Sequence, residues 1–197
     1  MIQDVDESLL TLLRAEGSAL LKRINISFRA PDKEFPNKVT PPAIDLFLYD
    51  VRENLDLRSN EPMMERYDNG KKARIRPPAV RVDCSYLITA WSAADEPSRE
   101  EHRFLGEVML ALLRFPELPR EYLRGSLADP DQVLPVPTAV LHPGRLQSLG
   151  EFWQALDGQP RTALNYTVTI AVQPGEAVET GVVLGASTDV GTDVGQR

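Results

Sequence analysis

The side chains best suited to catalysis or metal binding are few and scattered in this 197-residue sequence. Its two histidines, His102 and His142, have no cysteine, histidine or carboxylate at the spacing of a metal site. The single cysteine, Cys84, falls on the apolar side of a predicted strand, where a free cysteine usually fills a core. We therefore expect no metal ion, no cofactor and no internal disulfide.

The patterns that support hydrolysis or phosphate binding are also missing from the sequence. It contains no Gly-x-Ser-x-Gly nucleophile elbow, and its 12 glycines form no phosphate-binding loop. Asp45 and Asp50 flank a predicted strand, but a period of two places them on opposite faces. We interpret both as solvated strand-end charges rather than an acid–base pair, so the sequence predicts no enzyme.

The densest cluster of charges lies in the aperiodic stretch 52–78, where Asp68-Asn69-Gly70 is a strong hairpin signal. We interpret this stretch as a projecting arm, since long excursions from a compact domain are usually functional or disordered. The predicted interface residues are Arg52, Asn54, Arg58, Arg66, Lys71, Lys72, Arg74 and Arg76.

Two interpretations of the cations Lys71, Lys72, Arg74 and Arg76 stay open: a solvated face of the arm, or a contact with an acidic partner. Nucleic acid is a third and disfavoured partner, because the net charge is −7 and no aromatic residues are interleaved for base stacking.

The predicted core is a strand followed by a helix. Ala79–Trp91 alternates as a strand that becomes apolar on both faces near its end. Ser98 and Glu101 have the spacing of a capping box, and apolar residues then recur at helical spacing until Pro116 ends the helix.

The remaining elements indicate a mixed architecture. We predict a helix over 3–22 opened by a capping box of Asp4 and Glu7, and a short helix opened by Ser148 and Glu151 and closed by Gly158. Further strands are predicted at 24–29, 44–51, near 139–141 and at 164–173. This order favours an α+β fold, with a mainly antiparallel or mixed sheet and helices on one face.

The expected domain organisation is one body over 1–173, with the arm at about 52–78 and a partly flexible extension over 174–197. Val182–Leu184 is expected to pair as an edge strand. The acidic start is unlike a secretion signal, and no apolar run approaches the ~20 residues of a membrane span. We therefore expect a soluble chain that is cytoplasmic during assembly.

Four ordered blocks carry a family resemblance. They are Ile44–Asn54 with Leu57-Arg58, Pro78–Trp91, His102–Met109, and Phe152–Leu156 with Pro160–Tyr166. Together they resemble the N-terminal domain of the tail-terminator, or cap, proteins of contractile phage-tail-like injection systems, over about residues 3–173.

That resemblance implies a structural role without an active site. Such caps are similar to the tail terminators of long-tailed phages, which assemble as sixfold rings. The implied partners are further copies of the chain, the inner tube protein and the last sheath layer, with no nucleic acid and no membrane. Release of the finished particle from the cell is left open. The competing hypotheses are a small-ligand protein or enzyme with a pocket between sheet and helices, and a nucleic-acid adaptor.

Overall fold

The computed structural model describes residues 1–67, 69, 72–94, 96–130, 132–141, 146 and 148–181. The chain divides into two compact units. The first unit comprises Met1–Arg58 and Arg81–Val172, and the second comprises Ser59–Val80 and Gln173–Arg197.

The elements confirm the predicted α+β class. The helices are α1 (Ile2–Glu16), α2 (Phe35–Lys38), α3 (Pro97–Leu113) and α4 (Leu149–Ala155). The strands are β1 (Asn25–Ser27), β2 (Ala43–Glu53), β3 (Met63–Tyr67), β4 (Lys72–Arg76), β5 (Val80–Trp91), β6 (Thr138–Val140), β7 (Ala163–Val172) and β8 (Val178–Gly181). Short 3-10 turns cover Leu55–Leu57, Arg120–Tyr122 and Gly125–Ala128.

The first unit is built on a five-stranded mixed sheet with the order β1-β2-β5-β7-β6. β1 runs parallel to β2, whereas β2 pairs antiparallel with β5, and β6 with β7. A bulge between Leu48 and Asp50 shifts the register of β2 against β5. The predicted central strand is therefore confirmed, and it lies in the middle of this sheet.

The main core lies between this sheet and the two long helices. Val5 and Leu9 of α1 and Phe104 of α3 pack with Ile44 of β2 and Tyr86 of β5, and each is almost fully buried. Burying apolar surface of this kind stabilises the fold by about 25 cal/mol per Å². The apolar stripes predicted for the first and central helices thus face one side of the sheet.

The opposite face of the sheet is covered by the short helices. Phe35 of α2 stacks on Trp91 with ring centroids 4.3 Å apart. Phe47 points away from the main core and lies 6.2 Å from Phe152 of α4, whose neighbour Trp153 is buried. The long helices therefore share one face, while α2 and α4 occupy the other. The prediction that the helices lie on one face thus holds for α1 and α3 and is wrong for α4.

The second unit contains a three-stranded sheet with the order β3-β4-β8. β3 and β4 form the predicted antiparallel hairpin, with Asn69 near its tip in a left-handed conformation (φ 52°). β8 pairs with the other edge of β4. β8 lies in the predicted extension 174–197, whose residues after 181, including the expected edge strand Val182–Leu184, lie outside the described residues.

Two predicted capping boxes are wrong because the side chains bond elsewhere. Asp4 lies inside α1, and its carboxylate accepts hydrogen bonds from the backbone (2.9 Å) and hydroxyl (2.5 Å) of Ser126. Glu101 instead accepts from the backbone of Ser92 (3.2 Å) and from Arg161 (2.6 Å). At α4 the predicted cap is present, because the Ser148 hydroxyl accepts from the Glu151 backbone N–H.

Two helix ends also differ from prediction. α1 stops at Glu16, not at residue 22, because Gly17 takes an extended conformation (φ −65°, ψ 158°). A Cβ on Gly17 would lie 2.3 Å from the Leu13 carbonyl oxygen, so this conformation suits glycine. After α4, Asp157 (φ 55°), not Gly158, takes the left-handed conformation that often ends helices.

The prediction that Asp45 is a solvated strand-end charge is wrong. Asp45 is 0% exposed and pairs in register with Ser27 of β1 and Thr89 of β5. The bulge after Leu48 also places Asp50 on the same face as Asp45, because the extra residue breaks the period of two.

Candidate interaction surfaces

The predicted interface cations of β4 share one side of the three-stranded sheet. Lys72, Arg74 and Arg76 alternate along the strand, so all three point to the same side, which we call the basic face. Arg74 pairs with Glu179 of β8 (3.5 Å) and lies over the Tyr67 ring, 5.9 Å from its centroid. Lys71, predicted with this group, lies outside the described residues.

Arg66 lies on the other side of that sheet, because it pairs with Ala73 in the register of β3 and β4. The same side carries three apolar residues directly opposite one another across the strands, Met64, Ile75 and Val178. We call these three the apolar row. Met64 and Val178 are 54% and 66% exposed, which is unusual for such large side chains.

The other predicted interface residues, at the start of the stretch 52–78, lie in the first unit rather than in the second. Arg52 binds the Asp50 carboxylate through two nitrogens, at 2.6 and 2.8 Å. Arg58 pairs with Glu53 at 3.4 Å. Both are surface pairs, which contribute little stability.

Asn54 has a structural role that the sequence did not suggest. Its side-chain nitrogen donates to Asp83 (3.0 Å), its side-chain oxygen accepts from the Leu57 backbone, and its own backbone N–H donates to the Arg81 carbonyl (2.8 Å). Asp83 is buried and also accepts from the Thr169 hydroxyl at 2.7 Å. These bonds hold the 3-10 turn Leu55–Leu57, which we call the leucine turn, against the sheet.

The leucine turn is a second exposed apolar feature. Leu55 and Leu57 are 67% and 47% exposed, and Asp56 lies between them. Sequence reasoning missed this turn and the apolar row because neither shows a strand or helix period. The signal available was the presence of leucines and methionines in a charged segment.

The groups considered for catalysis are poorly placed for it. Cys84 is buried, and burial raises the pKa of its thiol to about 11, so the reactive thiolate is not formed near neutral pH. His102 is exposed and contacts the Thr162 hydroxyl at 3.2 Å, while His142 lies outside the described residues. Within the described ranges, no group of three or more histidine, cysteine or carboxylate side chains could hold a metal ion.

A cleft of about 280 Å³ is lined by Trp91, Arg161 and Lys33, among other residues. The Arg161 guanidinium stacks on the Trp91 ring at 3.9 Å and bonds Glu101, and Lys33 pairs with Asp157 at 2.5 Å. Because its charges already pair with one another, this cleft is typical of a structural cluster rather than a reaction centre.

A sequence model described as the Pvc16 N-terminal domain matches residues 4–184. The chain belongs to this family. The family resemblance drawn from the four sequence blocks is therefore confirmed. No curated protein matches the chain significantly.

Two solved structures are similar to this Pvc16-type domain. One is a sheath/tube terminator, in the extended state, of the extracellular contractile injection system PVC. It is 29% identical, with a TM-score of 0.72, and the match covers 100% of this chain and 65% of that one. The other is the tube-terminating cap of the anti-feeding prophage AFP, also 29% identical, with a TM-score of 0.64, covering 94% of this chain and 60% of that one.

The chain thus spans 60–65%, less than two thirds, of the length of the terminators that it matches. Their shared fold confirms the terminator-like α+β architecture. Across the described part of the chain, no helix has the length and apolarity that a bilayer span requires.

Proposed function

We propose that this Pvc16-type domain is a non-enzymatic cap of a contractile injection system. It binds the end of the inner tube, contacts the last sheath layer and stops both from growing. The observation that carries the proposal is the match of the whole chain, at 29% identity and a TM-score of 0.72, to a sheath/tube terminator. The family match over residues 4–184 supports it independently.

The proposed assembly is a ring of six copies. A ring needs heterologous contacts, in which one surface of a copy meets a different surface of the next. The proposed interface residues are those predicted from the sequence, among them Arg66 and the basic face. We also propose that the chain is cytoplasmic during assembly and then belongs to an extracellular particle, as the PVC terminator does.

The test is to add the purified chain to polymerising inner tube protein of the same system. We expect a ring by native mass spectrometry, and tubes that stop growing with added density at one end by electron microscopy. A chain that never binds tube ends and leaves tube lengths unchanged contradicts the proposal.

The arm is proposed to contact a neighbouring subunit or the tube end. Deleting residues 60–74, which removes most of β3 and β4, is expected to abolish ring formation or capping. The far-UV circular dichroism of the deletion variant controls for folding. If ring assembly and capping are unchanged, the arm has no such role.

The charges of the arm are proposed to meet carboxylates of an adjoining subunit. Reversing Lys71, Lys72, Arg74 and Arg76 to glutamate is expected to weaken capping. Because salt screens exposed charges, raising ionic strength should weaken capping by the unmodified chain as well. A reversed variant that still caps tubes at elevated salt argues against this contact.

A further inference from the structure

The apolar row is exposed at its two edges. A small sheet needs a hydrophobic face packed on something to be stable. Ala73, two residues from Ile75 and on the same side of β4, is fully buried. Met64 and Val178, at the two edges of the row, are nevertheless more than half exposed. A partner that covers the row would therefore remove apolar surface from water.

The charge around the row indicates what kind of partner fits. Arg66 lies two residues from Met64 and on the same side of β3. Lys72, Arg74 and Arg76 lie on the opposite side of the sheet, so Arg66 is the described cation of the hairpin on the same side as the row. The chain as a whole has a net charge of −7, so each copy offers an excess of carboxylates. A carboxylate on a second copy is thus electrostatically complementary to Arg66.

The leucine turn is a surface on that second copy with matching chemistry. It presents two exposed leucines around Asp56, while Glu53, just before the turn, pairs with Arg58 just after it. The bonds of Asn54 to Asp83 and to the Leu57 backbone hold it in one conformation. A turn that is already held in one conformation loses little conformational freedom on binding, which favours it as a binding surface.

We infer that the apolar row of one copy packs on the leucine turn of the next, with Arg66 facing Asp56. The contact is heterologous, since the two surfaces differ, so it can propagate from copy to copy and close into a ring. This inference rests on the proposed function and specifies which surfaces join the copies.

The test uses two surface variants of the full chain. In the row variant, Met64→Ser is combined with Val178→Ser; in the turn variant, Leu55→Ser is combined with Leu57→Ser. All four side chains are largely exposed, so both variants should melt close to the unmodified chain. Each variant alone is expected to be monomeric by analytical ultracentrifugation, with self-association weakened by about tenfold or more.

Mixing the two variants distinguishes this contact from other arrangements. The turn variant keeps an intact row, and the row variant keeps an intact turn. One copy of each can therefore form a single contact, between the row of the first and the turn of the second. The expected result is a 1:1 dimer that grows no further. If the mixture stays monomeric although both variants are folded, the row and the turn do not bind each other.

The control variant is Leu110→Ser with Leu113→Ser on the exposed side of α3, at 61% and 50% exposure. It is expected to assemble like the unmodified chain. If the row and turn variants also assemble like the unmodified chain, the inference is overturned while the ring remains. If the unmodified chain is itself monomeric at all concentrations, with and without tube protein, the proposed ring fails.

Discussion

Asn54 holds the leucine turn in place by joining it to the buried carboxylate of Asp83. Both oxygens of Asp83 accept from the Asn54 side chain, and one also accepts from Thr169. Removing a hydrogen-bond donor from a buried carboxylate destabilises the fold more than removing one from a solvated carboxylate, because the desolvation of the buried charge is then no longer offset.

Asn54→Ala is therefore expected to lower the free energy of unfolding by about 1–3 kcal/mol, from the lost cap and the lost bond to Asp83. Arg52→Ala is the matched control, since its pair with Asp50 is on the surface and should contribute much less to stability. Urea denaturation measures both variants. Equal effects would mean that Asn54 has no special structural role.

Asp45 makes the stability of the fold depend on pH. Burial raises the pKa of its carboxyl to about 7, and its Oδ2 has no hydrogen-bond partner. In the unfolded chain the same carboxyl ionises near 3.8, so between these values the folded state holds the extra proton. The contribution of this group to the free energy of unfolding is therefore fully present below about pH 4, falls as pH rises, and is lost above about pH 7.

Asp45→Asn removes that titration. As pH rises from 5 to 7, the free energy of unfolding of the variant is expected to increase relative to that of the unmodified chain. The increase is up to about 1.4 kcal/mol per pH unit. Chemical denaturation at several pH values measures the difference. A difference for Asp45→Asn that stays constant with pH contradicts the assignment.

At the scale of elements, the glycine that follows α1 and a glycine inside α3 differ in how much space surrounds them. A Cβ on Gly17 would clash with the Leu13 carbonyl and with the Leu21 side chain, at 2.3 and 2.8 Å. A Cβ on Gly106, in the middle of α3, would meet nothing within 4 Å.

Gly17→Ala is thus expected to destabilise the protein by about 1–3 kcal/mol, whereas Gly106→Ala should stabilise it by about 0.5–1 kcal/mol. Thermal unfolding followed by circular dichroism measures both. If the two substitutions shift the melting temperature in the same direction, the described packing at one of these sites is incorrect.

The elements also show what sequence reasoning can reach. β5, α3 and β7 were predictable because long apolar periods reflect burial directly. The partners of Asp4 and Glu101 were not, since Ser126 and Arg161 are distant in sequence and only the fold brings them close. β8 was missed because four residues without alternation carry no strand signal, and its pairing depends on the exposed edge of β4.

At the scale of the whole molecule, family membership was predictable from blocks that occur in order along most of the chain. The interaction surfaces were not predictable from the sequence. Their residues are selected by the shape and charge of a partner, and such selection produces no periodic pattern along the chain. The structure separates the cations that were predicted as one group. Arg52 and Arg58 lie in surface pairs of the first unit, while Arg66 and the basic face lie on opposite sides of the three-stranded sheet.

The most direct test of the capping role is electron microscopy of particles from cells that lack this chain, compared with the same cells after the intact gene is restored. Without the chain, we expect tubes and sheaths of irregular length with no terminal density, and restoration should return uniform, capped particles. Particles of normal length with an intact terminal cap in cells that lack the chain would contradict the account.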